Sequence, residues 1–188
     1  MARPKSEDKR QAILEAATLV IVKQGLSAPT AVIAREAGIS NGSLFTYFDT
    51  KTDLLNQLYL ELKGEMVEAA LEKFPANAEL RKQVFHVWAN WMDWATSYPK
   101  KRRVLAQLEV SDEITATSRT AAHKAGAGLV DLMEQMRSCG SLRAASMNFV
   151  AALMNALAET TMDFIIKDPS NAKKHCKMGF ETLWRAIS

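Results

Sequence analysis

Apolar residues recur three or four positions apart along almost the whole chain, and the two-residue alternation of strands is scarce, so the pattern predicts an all-α fold. A first helix is expected from about Ser6 to Gln24, with Ile13, Ala17, Val20 and Gln24 on one face and Gly25 as its stop. Two short helices follow inside TAVIAREAGISNGSLFTYFDTK, residues 30–51. A long helix then starts at Asp49 or Thr50 and runs to about Phe74, with Leu55, Leu58, Tyr59, Leu62 and Met66 on one stripe and Pro75 closing it. Further helices are expected near 78–97, 100–108, 112–137, 141–167 and 170–186, punctuated by Pro99, Gly140 and Pro169. Gly126 and Gly128 weaken the middle one, marking a bend or a close helix contact. The pattern thus gives about nine helices: a small three-helix domain over residues 1–51, and a helical bundle over 52–188.

The stretch from Thr30 to Lys51 carries the sharpest local signal. Gly38 stands at a turn, where positive φ is cheap only without a Cβ. Ala34 is small where helices would touch, and Ile33, Ala37, Ile39 and Leu44 are spaced to share one small core. Thr30 and Ser40 sit where N-caps belong. This is the arrangement of a helix-turn-helix, whose second helix enters the DNA major groove. Asn41, Ser43, Phe45 and Thr46 can then face the groove, and Asn41 can pair with adenine N6 and N7, worth about 1–3 kcal/mol of discrimination. Gly42 lets the helix start lie close to DNA, Tyr47, Lys51 and the Thr30 hydroxyl suit phosphates, and an arm at Arg3–Lys5 can touch phosphates or the minor groove. Leu44 and Phe48 are expected in the core and Arg35 in solvent.

Composition narrows the reading further. A hydrophobic fraction of 48% argues against disorder, and 188 residues can bury a sizeable core. No apolar run is expected to approach the ~20 residues of a membrane span, and MARPKSEDKR lacks the apolar segment of a signal peptide. Cys139 and Cys176 make no disulfide framework and suit a reducing compartment, so a cytoplasmic protein is expected. The net charge is +3, of which residues 1–51 contribute +2 from seven Lys/Arg and five Asp/Glu. That excess identifies no nucleic-acid binder by itself; the placement of Arg3, Lys5, Lys9, Arg10 and Lys51 at or near the ends of the reading unit carries the argument instead.

The run IAREAGISNGSLFTYFDTKTDLL closely resembles the DNA-binding region of the TetR family of bacterial repressors. ARPKSEDKRQAILEAA and ALAETTMDF resemble the RamR-like members, which control multidrug-efflux regulators. The resemblance implies groove and phosphate contacts at Asn41, Gly42, Ser43, Phe45, Thr46, Tyr47 and Lys51. It departs from the family at Phe45, where Tyr is usual, so one hydroxyl contact to phosphate is missing. It also implies a homodimer on a pseudo-palindromic double-stranded operator, released by a small-molecule inducer.

The larger half holds VFHVWANWMDWATSY, where Trp88, Trp91, Met92 and Trp94 make a broad apolar face. Trp88, Trp91 and Met92 are candidates to line a ligand pocket, with plain core or dimer surface as the competing role. Met154 and Asn155, beside Asn148, Glu159, Met147 and Met162, offer soft and polar pocket surface or ordinary core and solvent positions. Tyr59 and Lys63 on the connecting helix are placed as ligand contacts able to move the reading heads. Phe180, Leu183 and Trp184, with Cys176 and Ile187, form an apolar stripe that, with Leu153 and Leu157 on the preceding helix, reads as half of a four-helix dimer interface. His86, His123 and His175 have no ligand-spaced partners, and no catalytic constellation is visible, so neither metal, cofactor nor enzyme activity is expected. KKRR at 100–103 reads as a solvated helix start. The competing functions are a protein of the same fold acting through a protein partner, and a small helical enzyme.

Overall fold

The computed structural model describes residues 5–187, with side chains from Glu7 onward. Arg3 and the Lys5 side chain lie outside the described residues. The expected all-α architecture holds, with ten helices and no strand among the described residues.

The chain folds into two compact units, one built from residues up to Lys63 together with Pro99–Ala122, the other from Gly64–Tyr98 and His123 onward. In the first unit, α1 (Lys5–Gln24) ends at Gly25, whose φ of +75° stops the helix as expected. It packs on α2 (Thr30–Glu36) and on α6 (Pro99–Glu109), and α2 packs on α3 (Asn41–Leu44). Ile13, Leu14, Ala17, Ile33, Leu44, Phe48, Leu55 and Leu58 are all buried, together with Val104 and Leu108 from α6. Gln24, expected on the apolar face of α1, is exposed.

The start of α4 (Lys51–Leu71) is tied to α1 by a polar chain. Thr50 Oγ1 accepts the Asp53 N–H at 3.0 Å, and the Asp53 carboxylate accepts the Asp49 N–H at 3.1 Å and the Gln57 amide. Gln57 Oε1 in turn accepts Arg10 Nη2 at 2.8 Å, and the Arg10 guanidinium lies over the Phe48 ring. Asn56, buried on the same helix, donates to the Glu113 carbonyl and accepts from the Thr115 N–H, so the chain after α6 is fastened to α4. Arg102 is buried, which corrects the reading of residues 100–103 as wholly solvated; Lys100 and Arg103 are exposed.

In the second unit, α5 (Leu80–Ser97) packs on α8 (Ala127–Ser138), α9 (Met147–Lys167) and α10 (Ala172–Ile187). The helix expected over 112–137 is interrupted: α7 (Ala116–Ala125) and α8 meet at Gly126, the residue where the sequence is weakest. The helix expected from 141 begins at Met147, because Ser146 caps it, its Oγ accepting the Phe149 N–H. The turns before it are held by the Arg137 guanidinium, which donates to the carbonyls of Arg143 and Ala145. By length and composition α9 is apolar enough to cross a membrane, correcting the expectation that no run approaches that length; part of it packs on α5 and α10. Gly179 of α10 faces Thr161 so closely that a Cβ there would fall 2.2 Å from the threonine hydroxyl oxygen.

Candidate functional site

The reading edge is assembled from one short helix and its cap. Ser40 precedes α3 in an extended conformation (φ −73°, ψ 153°), and its Oγ accepts the Ser43 N–H at 3.0 Å. The two hydroxyl oxygens lie 2.8 Å apart, so Ser43 spends part of its hydrogen-bonding capacity inside the protein. Thr46 Oγ1 donates to the Ser43 carbonyl at 2.7 Å, closing the end of the helix. Leu44 and Phe48 point into the core and are 0% and 1% exposed. Asn41, Gly42, Ser43, Phe45 and Thr46 are exposed, so buried and free positions alternate with the helical period.

Gly42 has no reason inside the protein to lack a side chain: a Cβ there would meet only Ser40 Oγ, at 3.9 Å. Gly38, by contrast, sits at φ +70°, which the turn between α2 and α3 demands. Phe45 is 41% exposed and Tyr47 half-exposed, so both rings reach the surface of the unit. Lys51 is the first residue of α4, half-exposed. The expectation that Thr30 caps α2 is corrected: extended Pro29 takes that place without a side-chain bond, and half-buried Thr30 is the first helical residue.

A cavity of about 420 Å³ lies in the second unit, between α5, α9 and the start of α10. Its depth is apolar, from Ala89 and the buried Met92 and Ile165, with Phe85 at one side. Exposed Lys173 and Lys177, one turn apart on α10, and Asp93 on α5 stand at its mouth. Half-buried Cys176 also lines it, and burial pushes that thiol above its ordinary range.

A sequence profile of the bacterial regulatory proteins of the tetR family matches residues 13–58, which span the helix-turn-helix and its flanks. A solved structure from Shewanella sp. PV-4, assigned to the tetR family of transcription regulators, is 27% identical over 95% of this chain and 97% of its own, with a TM-score of 0.85. Residues 13–58 thus carry a tetR-family DNA-binding region, and the chain as a whole has the fold of a tetR-family regulator.

The HTH-type transcriptional regulator AcrR of Shigella flexneri is 28% identical over 112 residues, 56% of this chain and 50% of that one. The chain thus spans about half the length of that relative, and less of the fatty acid metabolism regulator protein of Bacillus subtilis. The structure of the regulator FadR from Bacillus subtilis in complex with stearoyl-CoA shares the fold at 17% identity, over 95% of this chain and 99% of that one, with a TM-score of 0.70.

Of the residues placed at a ligand site from sequence, Met92 lines the cavity. Trp88 is 2% exposed and donates its indole N–H to the Cys176 carbonyl at 3.0 Å, which makes it a core residue joining α5 to α10. Trp91 is half-buried and meets the Trp88 ring edge-on. Met154 is half-buried and Asn155 exposed, both away from the cavity lining. Tyr59 and Lys63 belong to the first unit: Tyr59 is buried, and Lys63 pairs with the Glu109 carboxylate. Burial, and then Glu109, push the Tyr59 hydroxyl above its usual range, and Arg119 opposes them. Among the residues placed at a dimer interface, Phe180 and Leu183 are 3% and 0% exposed within their own chain. Phe180 packs edge-on against Phe85, which is itself 38% exposed. Leu153, Leu157 and Trp184 are half-buried, and the Arg81 guanidinium lies over the Trp184 ring.

Lys173 and Lys177 escaped the sequence reading. Their i, i+4 spacing on a basic helix was visible, but nothing local tied them to Ala89, Met92 and Asp93 far earlier in the chain.

Proposed function

We propose that this protein is a homodimeric transcriptional repressor that binds a pseudo-palindromic operator and leaves it when a small, largely apolar inducer binds. The observation that carries the reading is the edge formed by Asn41, Gly42 and Ser43, exposed at the capped start of α3 while Leu44 and Phe48 anchor it. Asn41 reads bases, the bare Gly42 backbone comes close to DNA, and Ser43, Thr46, Tyr47 and Lys51 contact bases or phosphates. Phe45 meets a thymine methyl or the sugar edge, in place of the phosphate contact a tyrosine would make.

The apolar cavity supports a ligand, as do the relatives' names and the FadR complex. The likeness of two segments to RamR-like regulators supports a drug-like one. Exposed Phe149, Phe164 and Met178 on α9 and α10, beside Leu153 and Leu157, support a dimer face along these two helices. The two reading helices then sit about 34–36 Å apart on one side of bacterial chromosomal DNA in the cytosol. Ligand acts by favouring dimer states with another separation, which needs different affinity for the two states.

The test is a selection of bound sequences from random double-stranded DNA. Enrichment of an inverted repeat, bound by two protomers in sedimentation, supports the reading. Recovery of unrelated sequences at equal affinity contradicts it.

A further inference from the structure

The cavity between α5, α9 and α10 has a charge pattern that the function described above does not use. Its depth is apolar and its mouth carries two lysines against one carboxylate, Lys173 and Lys177 facing Asp93. Both lysines are exposed, and no carboxylate lies within ion-pairing distance of either among the described residues. They occupy the first and second turns of α10, four residues apart, so both side chains project from the same side of that helix. Met92 and Ile165 are buried beneath them, and the Trp88 ring is fixed behind through its bond to the Cys176 carbonyl.

From this arrangement we infer that the cavity is a binding site for a small amphipathic anion, with an apolar body between Ala89, Met92 and Ile165 and an acidic head group held by Lys173 and Lys177. The volume of about 420 Å³ falls within the roughly 300–1,000 Å³ typical of small-ligand sites. A cationic head of the same size would meet two like charges at the mouth and gain only Asp93. The sign of the head group is therefore selected, while the shape of the apolar body is left broad by Met92 and Phe85. The binding site stands on its own geometry; only its regulatory consequence rests on the ligand-responsive reading above.

The experiment is a titration of the full chain with sodium decanoate and with decyltrimethylammonium, each below its micelle concentration, followed by calorimetry and tryptophan fluorescence. Decanoate is expected to bind with the higher affinity, by about fivefold or more given two surface ion pairs, and its advantage should shrink in high salt. Lys173→Gln with Lys177→Gln, both on an exposed helix surface, should abolish that preference and leave the melting temperature unchanged. Ala89→Phe should weaken both probes by filling the depth. As a localisation that needs no cavity variant, decanoate should slow alkylation of Cys176 in a Cys139→Ser background. Equal affinity for the two probes, an undiminished preference in the double lysine variant, or alkylation of Cys176 at an unchanged rate overturns the site. If decanoate binds as expected and operator affinity does not change, the site stands and the inducer-release reading falls.

Discussion

Ser40 and Ser43 lock the entry of α3 from both sides of one turn: the Ser43 N–H donates to Ser40 Oγ at 3.0 Å, and the two hydroxyl oxygens lie 2.8 Å apart. The cap satisfies a backbone donor that a four-residue helix cannot satisfy itself, and it fixes the direction in which Asn41 and Gly42 project. Ser40→Ala should lower stability by about 0.5–2 kcal/mol, the usual range for a lost N-cap. Operator affinity should fall while the salt dependence of binding stays as in the parent, because no phosphate contact is lost. Thermal melting and DNA titration at two salt concentrations check both halves.

Gly42 and Gly38 should separate cleanly on substitution. With only Ser40 Oγ near a new Cβ, Gly42→Ala should keep or slightly raise stability, by up to about 1 kcal/mol of helix propensity, and yet weaken DNA binding. Gly38→Ala places a Cβ at φ +70° and should cost about 1–2 kcal/mol. Calorimetric melting of the two variants beside their operator affinities tests this. A Gly42→Ala protein that binds DNA like the parent removes the close-approach role of that backbone.

Trp88 should behave as core. Trp88→Ala is expected to cost about 3–5 kcal/mol, as for large rings removed from packed interiors. Trp88→Phe keeps most of the volume and loses the bond to the Cys176 carbonyl, costing about 0.5–1.5 kcal/mol. Chemical denaturation of both variants gives the comparison, and near-equal stabilities would place the ring at a ligand surface instead.

Acid should loosen the turn between α9 and α10. Hydrogen bonds from His175, then from Ser170 and Asn171, hold the Asp168 carboxyl down to about 2 from an ordinary 3.8. Because the folded value is the lower one, this contribution is fully present above the ordinary value and is lost as pH falls from about 4 towards 2. Asp168→Asn should therefore be less stable than the parent near neutral pH, and the gap should narrow across that window. Denaturant midpoints measured through the acid range report it, and a gap that stays constant would contradict the role of the ionised carboxylate.

Much of this molecule was legible along the chain, and the failures share one cause. The first helix, its glycine stop and the helix-turn-helix are written in local signals: caps, a turn glycine, and a buried period that picks out Leu44 and Phe48. The start of α9 at Ser146 and the interruption at Gly126 were also local, but a continuous apolar period concealed the first of them. What periodicity cannot say is which partner covers an apolar stripe. Trp88, Phe180 and Leu183 were apolar in the right register, and within the chain they are buried by contacts of their own unit. The cavity was invisible for the same reason, since Ala89, Ile165 and Lys173 come together only through the packing of three helices.

One paired titration tests most directly whether α3 reads sequence while Lys51 grips the backbone. Affinity for the selected operator and for random DNA is measured across a salt series for the parent, Asn41→Ala and Lys51→Ala. Lys51→Ala should weaken both DNAs alike and reduce the slope of log affinity against log salt by about one unit per subunit. Asn41→Ala should keep the slope and lose about 1–3 kcal/mol at one base pair of each half-site, with little change on random DNA. If Asn41→Ala weakens every sequence equally, or if neither variant differs from the parent, α3 is not the reading helix.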